Sequence, residues 1–378
     1  MKITFIEPTP SPNTMKLHLD ETIETGLRKT YTLENERSAP VWIREMLHIP
    51  GVKSVFHTTD FAALERKGNA DWSIILGEVQ ERLGQDGMTT TWLEVDNELG
   101  EHYGEAEVLV QYFRSIPMQI RVKAAGREER IALSERFTKA VTAVAIATMI
   151  KERKLSDYGV RYGELEDIAR EVEQELEAAY PPERLEKVIQ QAIAHGVSDE
   201  EFMEKRTELS DQELEEALQN NDWRIRYAAF DGMSPSPERI RFIRTALHDS
   251  KMQIRRLAII YLGDLRTPEA MELLYVALQD KSAAVRRTAG DTLSDIGDAH
   301  ATKAMTETLK DSSKLVRWRA ARFLYEVGTE DARAALEEAT QDSEFEVSLQ
   351  AKMALERIES GEEAAGTIWQ QMAKRTRS

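Results

Sequence analysis

The stretch Asp249–Arg255, DSKMQIR, recurs as Asp280–Arg286, DKSAAVR, and again as Asp311–Arg317, DSSKLVR. Its Asp stands at 249, 280 and 311 and its Arg at 255, 286 and 317, a step of 31 residues each time. A weaker copy lies earlier, with Asn220 and Arg226, and another lies later, with Asp342 and Ser348. Three residues after each of these Arg or Ser positions comes an alanine: Ala229, Ala258, Ala289, Ala320, Ala351. Four residues further stands a larger apolar side chain: Met233, Leu262, Leu293, Leu324, Leu355. Leu265, Ile296, Val327 and Ile358 follow after three more. Offsets of 3, 4 and 3 place all of these on one helix face. A second amphipathic helix precedes each Asp; Thr267 as cap and Pro268 in the first turn open one of them, and Gly297 and Gly328 are placed to end helices. A two-helix hairpin of this kind cannot bury its apolar face alone. Neighbouring copies must stack, so the spacing predicts a curved helical solenoid over roughly residues 210 to 360.

The rest of the chain bounds what else is available. A length of 378 residues predicts two or three domains. No run approaches the ~18 to 20 apolar residues of a membrane helix; the longest, Ala143 to Ile150, sits inside a helical stretch. The N-terminus reads straight into a strand without a signal-peptide pattern, so the cytoplasm is the expected location. The sequence contains 0 Cys, which removes thiol nucleophiles, disulfides, zinc ribbons and thiolate-ligated iron–sulfur sites. A formal charge of −17 argues against a dedicated nucleic-acid binder, and the basic tip Lys374, Arg375, Arg377 reads as a solvated terminus.

Ahead of the repeats the pattern changes. Lys2–Ile6 and Lys16–Leu19 alternate as strands around a turn rich in Pro8, Pro10, Pro12 and Asn13. Pro40–Leu47 predicts a helix broken by Pro50-Gly51. Val52–Thr58 and Phe61–Glu65 predict a hairpin, and Trp72–Leu83 a helix. In the middle, Thr89–Val95, Val108–Phe113 and Met118–Val122 predict strands. Leu133–Lys151 and Glu164–Ala179 predict helices, with another starting at Pro181-Pro182. The expected domains are residues 1–87 (α+β), 88–205 (α+β passing into helices), 206–360 (repeats) and a tail, 361–378.

These segments carry a resemblance. FIEPTPSPNTMKL (Phe5–Leu17), IPGVKSVFHTTDFAALER (Ile49–Arg66) and the helix bearing Trp72 resemble the N-terminal domain of Nfu/NifU-type iron–sulfur scaffold proteins over about residues 1 to 87. The repeats resemble HEAT repeats of the short, phycobilin-lyase-like type. Together with TTTWLEVDNELG and YFRSIPMQIRV in the middle, the chain resembles the conserved virulence factor C family. The resemblance implies a fold of α+β N-terminal domains followed by an all-α HEAT-repeat solenoid. It also implies a head that assists partner interaction, at Pro10, Pro12, Asn13, Thr14, Met15, Lys16, Pro50, Gly51 and Phe61. Nfu-type scaffolds hold their cluster through a Cys-x-x-Cys in a separate C-terminal domain, which has no counterpart here. A cluster-carrying role does not transfer, and no cofactor or metal ligand is expected.

Each candidate site has a plainer alternative. The Pro-rich turn Thr9–Thr14 can dock a partner or simply fix two strands. The arginines Arg226, Arg255, Arg286 and Arg317 could form a phosphate ladder. The Asp six residues before three of them favours charge-assisted bonds linking adjacent hairpins. The residue after each Arg lies off the Ala/Leu face: Tyr227, Arg256, Arg287 and Trp318, with Arg322 one turn beyond. Stacking would align these into an exposed stripe of the residue types enriched in binding hot spots, so they are the expected partner-binding residues of the solenoid, with a merely solvated face as the plainer alternative. None of the 7 His has a metal-binding spacing, and none is followed by Glu, which sets aside the iron-ligating HEAT hydroxylases. Glu164, Glu166, Asp167, Glu171, Glu173, Glu175 and Glu177 read as the outer face of a helix. Phosphate-binding loops and nucleophile elbows are absent. The expected function is a non-enzymatic adaptor that binds protein partners through solenoid and head. The alternative is an accessory factor that contacts iron–sulfur carriers without ligating the cluster. An enzyme would need a polar pocket around Tyr103–Arg121.

Overall fold

In the computed structural model, residues 3–8, 14–19, 29–58, 61–67, 70, 72–83, 104–124, 127–145, 152–196 and 201–361 are described. Contacts group the described residues into two compact units, those up to 104 with 305–361 and those of 105–304.

The first unit contains a five-stranded sheet of β1 (Ile3–Pro8), β2 (Thr14–Leu19), β3 (Lys29–Tyr31), β4 (Val52–His57) and β5 (Phe61–Arg66), in the order β1-β2-β5-β4-β3. Every neighbouring pair is antiparallel. Helices α1 (Val41–Leu47) and α2 (Trp72–Leu83) complete it. Alternation decides the buried face: Met15 and Leu17 on β2 and Ala62 and Leu64 on β5 point into a core with Ile43, Met46 and Trp72. Gly51 takes φ +96° in the turn before β4, and a Cβ there would lie 2.8 Å from that of Ala70, so the turn requires glycine.

The second unit contains β6 (Glu105–Phe113), β7 (Ile116–Ala124), β8 (Arg127–Ala132) and β9 (Arg153–Tyr162) in the antiparallel order β8-β7-β6-β9. Val108 pairs Val122 and Val110 pairs Ile120, so all four are buried on one face. Helices α3 (Glu135–Val144) and α4 (Leu165–Ala179) pack on β7, and α5 (Pro182–His195) packs on α3. Strands β3, β8 and β9 have no counterpart in the sequence-based expectation. The helix expected over 133–151 is formed over Glu135–Val144, and 146–151 lie outside the described residues, as do Thr89–Val95. The β6–β7 turn explains why its pattern is hard to read. Arg114 and Ser115 occupy positive φ (48° and 60°), where Gly or Asn would be expected. Arg114 offsets that strain with bonds to Glu152 (2.7 and 3.2 Å) and to the carbonyls of Ala192 (2.9 Å) and Gly196 (2.7 Å).

The repeats are helical hairpins. In the second unit they are α6 (Asp211–Leu218) with α7 (Trp223–Asp231), α8 (Ile240–Ala246) with α9 (Met252–Leu265), and α10 (Pro268–Ala277) with α11 (Ala283–Ile296). After α12 (Thr302–Thr308), the first unit holds α13 (Lys314–Val327), α14 (Arg333–Ala339) and α15 (Phe345–Ser360). The repeated alanines are buried, as are Met233, Leu262, Leu293 and Leu324.

Within each unit an Arg of the motif reaches forward to the next copy. Arg226 binds Asp249 in two-point fashion (2.7 and 2.8 Å), Arg255 binds Asp280 (2.7 and 2.9 Å), and Arg317 binds Asp342 (2.6 and 2.9 Å). Each also donates to the carbonyl six residues before it, at Asn220, Asp249 and Asp311. The Asp works twice, because its Oδ1 also accepts the backbone N–H two residues on, from Lys251, Ser282, Ser313 and Glu344. Hairpin linkage, rather than a free phosphate ladder, is the role these pairs fill.

Burial tends to raise the Asp249 carboxyl, but the Arg226 side chain and then the Lys251 N–H outweigh it and hold the pKa below 3.8. A depressed carboxyl contributes stability that is complete above its unfolded pKa and is lost as pH falls through the folded value. Asp249→Asn should therefore lower unfolding stability by about 2 kcal/mol at neutral pH. In urea titrations followed by circular dichroism, the gap to wild type should close only below pH 3.8.

Candidate functional site

The five solenoid positions expected to form an exposed stripe are buried. Tyr227 is 3% exposed, Arg256 7%, Arg287 1%, Trp318 3% and Arg322 3%. In the second unit the cause is β9, which runs along α7, α9 and α11. Burial, then Glu175 and then Tyr158 raise the Tyr227 phenol well above its usual value, which places the two tyrosines side by side. Arg256 donates to the carbonyl of Val160 (3.2 Å). Arg287 lies 4.5 Å from the ring of Tyr162 and 3.1 Å from Glu105. Residues 158, 160 and 162 advance by ~6.7 Å per step against a ~8–10 Å spacing of packed helices, a mismatch that long side chains absorb. In the first unit, Trp318 packs with Val347 and Leu315, and Arg322 binds Glu326 (2.9 Å).

Charge is buried along with these rings. Burial and then the Arg161 charge bring Arg256 down to about 10. Burial, with Glu175 beside it, raises the Glu171 carboxyl. Glu175, expected on the outer face of its helix, is instead buried and paired with Arg161 at 3.1 Å. The mechanism is desolvated polar docking of the sheet on the repeats, which sequence spacing cannot reveal.

The head positions are divided. Pro10, Pro12 and Asn13 lie outside the described residues. Thr14 and Lys16 stand on β2, and the Lys16 ammonium sits 5.0 Å over the half-buried ring of Phe61 on β5. The latter two therefore share one face of paired strands. Also in the first unit, Phe345 of α15 packs against the head core, and Glu346 lies 3.7 Å from Arg66, both buried. Burial raises the Glu346 carboxyl.

Among the described residues, a cleft of about 890 Å³ lies open in the second unit, bounded by α4, α5, α7 and the stretch 204–209, which is neither helix nor strand. None of its lining comes from Tyr103–Arg121, where a polar pocket would have favoured an enzyme. Its floor is apolar: Ala178, Ala179 and Pro182 on one side, Ile225, Ala228 and Ala229 on the other. Ile225 is 46% exposed there, and Leu209 is exposed as well. Arg184 fixes one wall. It stacks 3.9 Å over Tyr180, grips Glu204 with two bonds (2.9 and 2.8 Å) and donates to the carbonyl of Ala179 (2.7 Å). Burial works against its charge, and the Glu204 bonds and the fields of Tyr180, Glu204 and Asp231 more than offset that, so it stays charged. Gln191 holds the 204–209 stretch by its backbone, accepting from the N–H of Lys205 (2.9 Å) and donating to its carbonyl (3.0 Å). Arg206 ties the same stretch to Asp231 (2.8 Å). The sequence marks only the Pro181-Pro182 helix start and a stretch without periodicity after 200. That these converge on one opening is a tertiary fact.

Among the described residues, no helix is long and apolar enough to cross a membrane, and no cluster of three or more His, Asp or Glu is arranged to hold a metal ion.

Stacked two-helix units with a linking Arg–Asp ladder, behind an antiparallel α+β head, define a HEAT-repeat protein with an Nfu-type N-terminal domain. Comparison agrees: residues 3–88 match the scaffold protein Nfu/NifU N-terminal family, 111–189 match a family described as virulence factor, and 240–314, 272–356 and 302–376 match HEAT repeats. The chain belongs to the conserved virulence factor C family. It is 45% identical to the protein of that name from Staphylococcus aureus (strain MW2) and 41% identical to that from Staphylococcus haemolyticus (strain JCSC1435), over 100% of both chains in each case. It is also 50% identical to a Bacillus subtilis (strain 168) protein named uncharacterized protein YpgR, over 99% of this chain and 98% of that one. Among solved structures, Staphylococcus aureus protein SAV1430 is 38% identical over 21% of this chain and 96% of its own, with a TM-score of 0.20.

Because the stripe is buried, Arg287→Ala and Trp318→Ala should act on stability. Removing Arg287 leaves Glu105 and Asp291 without their guanidinium, at a cost of about 3 kcal/mol. Removing the Trp318 ring should cost about 3 to 5 kcal/mol. Denaturant melts of each single variant check this, and near-wild-type melting would restore the exposed-stripe reading.

Proposed function

We propose that the protein is a non-enzymatic adaptor that binds a protein partner, with the open cleft beside the first hairpin as its principal contact. HEAT repeats suggest protein–protein interaction in general. The observation that carries the finer reading is the contrast between two surfaces. The hot-spot-like residues Tyr227, Arg256 and Arg287 are consumed by the chain's own sheet, whereas the cleft leaves Ile225 and Leu209 exposed over an apolar floor. Apolar side chains grouped in a preformed concavity and framed by fixed polar groups are the usual anatomy of a binding site. The walls are already held by Arg184 and Gln191, so little ordering cost accompanies association.

A second reading rests on the head. The match of residues 3–88 to the Nfu/NifU N-terminal family supports contact with iron–sulfur carriers, and 0 Cys in the chain supports a role that does not hold the cluster through thiolates.

Affinity capture from native cell extract with the full chain, read by mass spectrometry, tests both. The adaptor reading expects a small set of proteins retained in proportion to bait, and loss of reproducible retention would overturn it. Enrichment of cluster-assembly proteins would favour the second reading. Stoichiometric iron in the purified chain would contradict its non-carrier form.

A further inference from the structure

The cleft that the adaptor reading relies on has three features that together specify an occupant. Its electrostatic sign is inverted relative to the chain. The whole sequence carries 67 acidic against 50 basic residues, yet the lining contains more bases than acids. Arg136 is engaged by Glu177 (2.6 Å), Arg184 by Glu204, and Arg224 lies 3.9 Å from Asp222. Lys187 and Lys205, both exposed, have no ion-pair partner among the described residues, which leaves two ammonium groups on the wall that α5 and the 204–209 stretch share.

The second feature is a row of free backbone groups. Gln191 uses the N–H and C=O of Lys205, but the backbone N–H and C=O groups of Arg206, Thr207 and Glu208 make no hydrogen bond among the described residues. A segment outside helix and strand with open main-chain donors and acceptors can pair with an extended chain. The third is the apolar floor with exposed Ile225. At 890 Å³ the cleft is within the range of about 300–1,000 Å³ typical of ligand sites, which suits a short segment rather than a folded domain edge.

We infer that the cleft receives an extended acidic peptide segment of the partner protein. The segment pairs its main chain with residues 206–208, seats an apolar side chain on Ile225 and the alanine floor, and directs carboxylates to Lys187 and Lys205. Period-two alternation meets both demands at once, because successive side chains of an extended peptide point to opposite sides. The inference rests on the adaptor reading and names the partner's chemistry.

The test is fluorescence anisotropy of the full chain with a labelled octapeptide of four Asp-Leu repeats, beside a Lys-Leu octapeptide of the same length. The acidic peptide should bind saturably and weaken as salt rises, and the basic one should bind about tenfold or more weakly. Ile225→Asp, and separately the double change Lys187→Glu with Lys205→Glu, should each weaken the acidic peptide about tenfold or more while leaving the circular dichroism spectrum unchanged. Val276→Asp, at an exposed position on α10 outside the cleft lining, should bind as wild type does. Equal binding of both peptides, no saturable binding, or unchanged binding by the cleft variants would overturn the proposal. Extract capture by Ile225→Asp separates the two claims. Partner retention at wild-type level would sink the cleft inference and the cleft as principal contact and leave only the general adaptor reading standing, whereas failure of capture by the wild-type chain would sink the adaptor reading itself.

Discussion

Within each unit, neighbouring hairpins depend on a guanidinium–carboxylate pair that reaches from one to the next. Stacked hairpins bury alanine and leucine faces, but apolar contact alone tolerates sliding and rotation. A two-point bond from Arg226 to Asp249, from Arg255 to Asp280 and from Arg317 to Asp342 does not, because the planar fork fits the carboxylate in one orientation. The same Asp closes the turn into its own helix, so the register between hairpins and the start of the next helix are set by a single side chain.

With the register fixed, the second helices present their remaining faces in a line. Tyr227, Arg256 and Arg287 recur at the same place in each copy, and β9 meets them with Tyr158, Val160 and Tyr162 at alternate positions. One strand thus reaches three successive helices, with long side chains taking up the difference between strand step and helix spacing. On this edge strand the Val160 carbonyl, a group that an open sheet edge would leave unpaired, accepts from Arg256. The cost of burying Arg256 and Glu175 is offset only because partners surround them; Arg256 still shows it in a pKa brought down to about 10. In the first unit the head has an analogous relation to the last helix, through Phe345 and the pairing of Arg66 with Glu346. Both α+β sheets therefore use repeat helices as packing surfaces, and the opening left beside the first hairpin is where the second unit keeps its apolar floor exposed.

The features legible in the sequence are those that repeat or alternate. The Ala/Leu face of α7, α9, α11 and α13, the Asp–Arg linkage, the Val52–Arg66 hairpin and the helix from Trp72 all follow from local periodicity. Strand β9, RKLSDYGVRY, was not legible, because its alternation is interrupted at Gly159 and its buried partners are polar and aromatic rather than aliphatic. The β6–β7 turn was hidden for a related reason: Arg114 takes a glycine-like backbone conformation that only distant carbonyls and Glu152 make tolerable.

The sequence by itself determined that this protein is built from α+β modules and stacked two-helix repeats, and that no cysteine can hold a cluster. These follow from the period of burial and from composition, both properties of neighbouring residues. Only the tertiary structure decided which repeat faces remain available. Tyr, Arg and Trp at a regular helical offset look the same whether they await a partner or have found one within the chain. The difference lies in contacts made 69 to 125 residues away in sequence, as between Tyr227 and Tyr158 or Arg287 and Tyr162, and no local spacing encodes them.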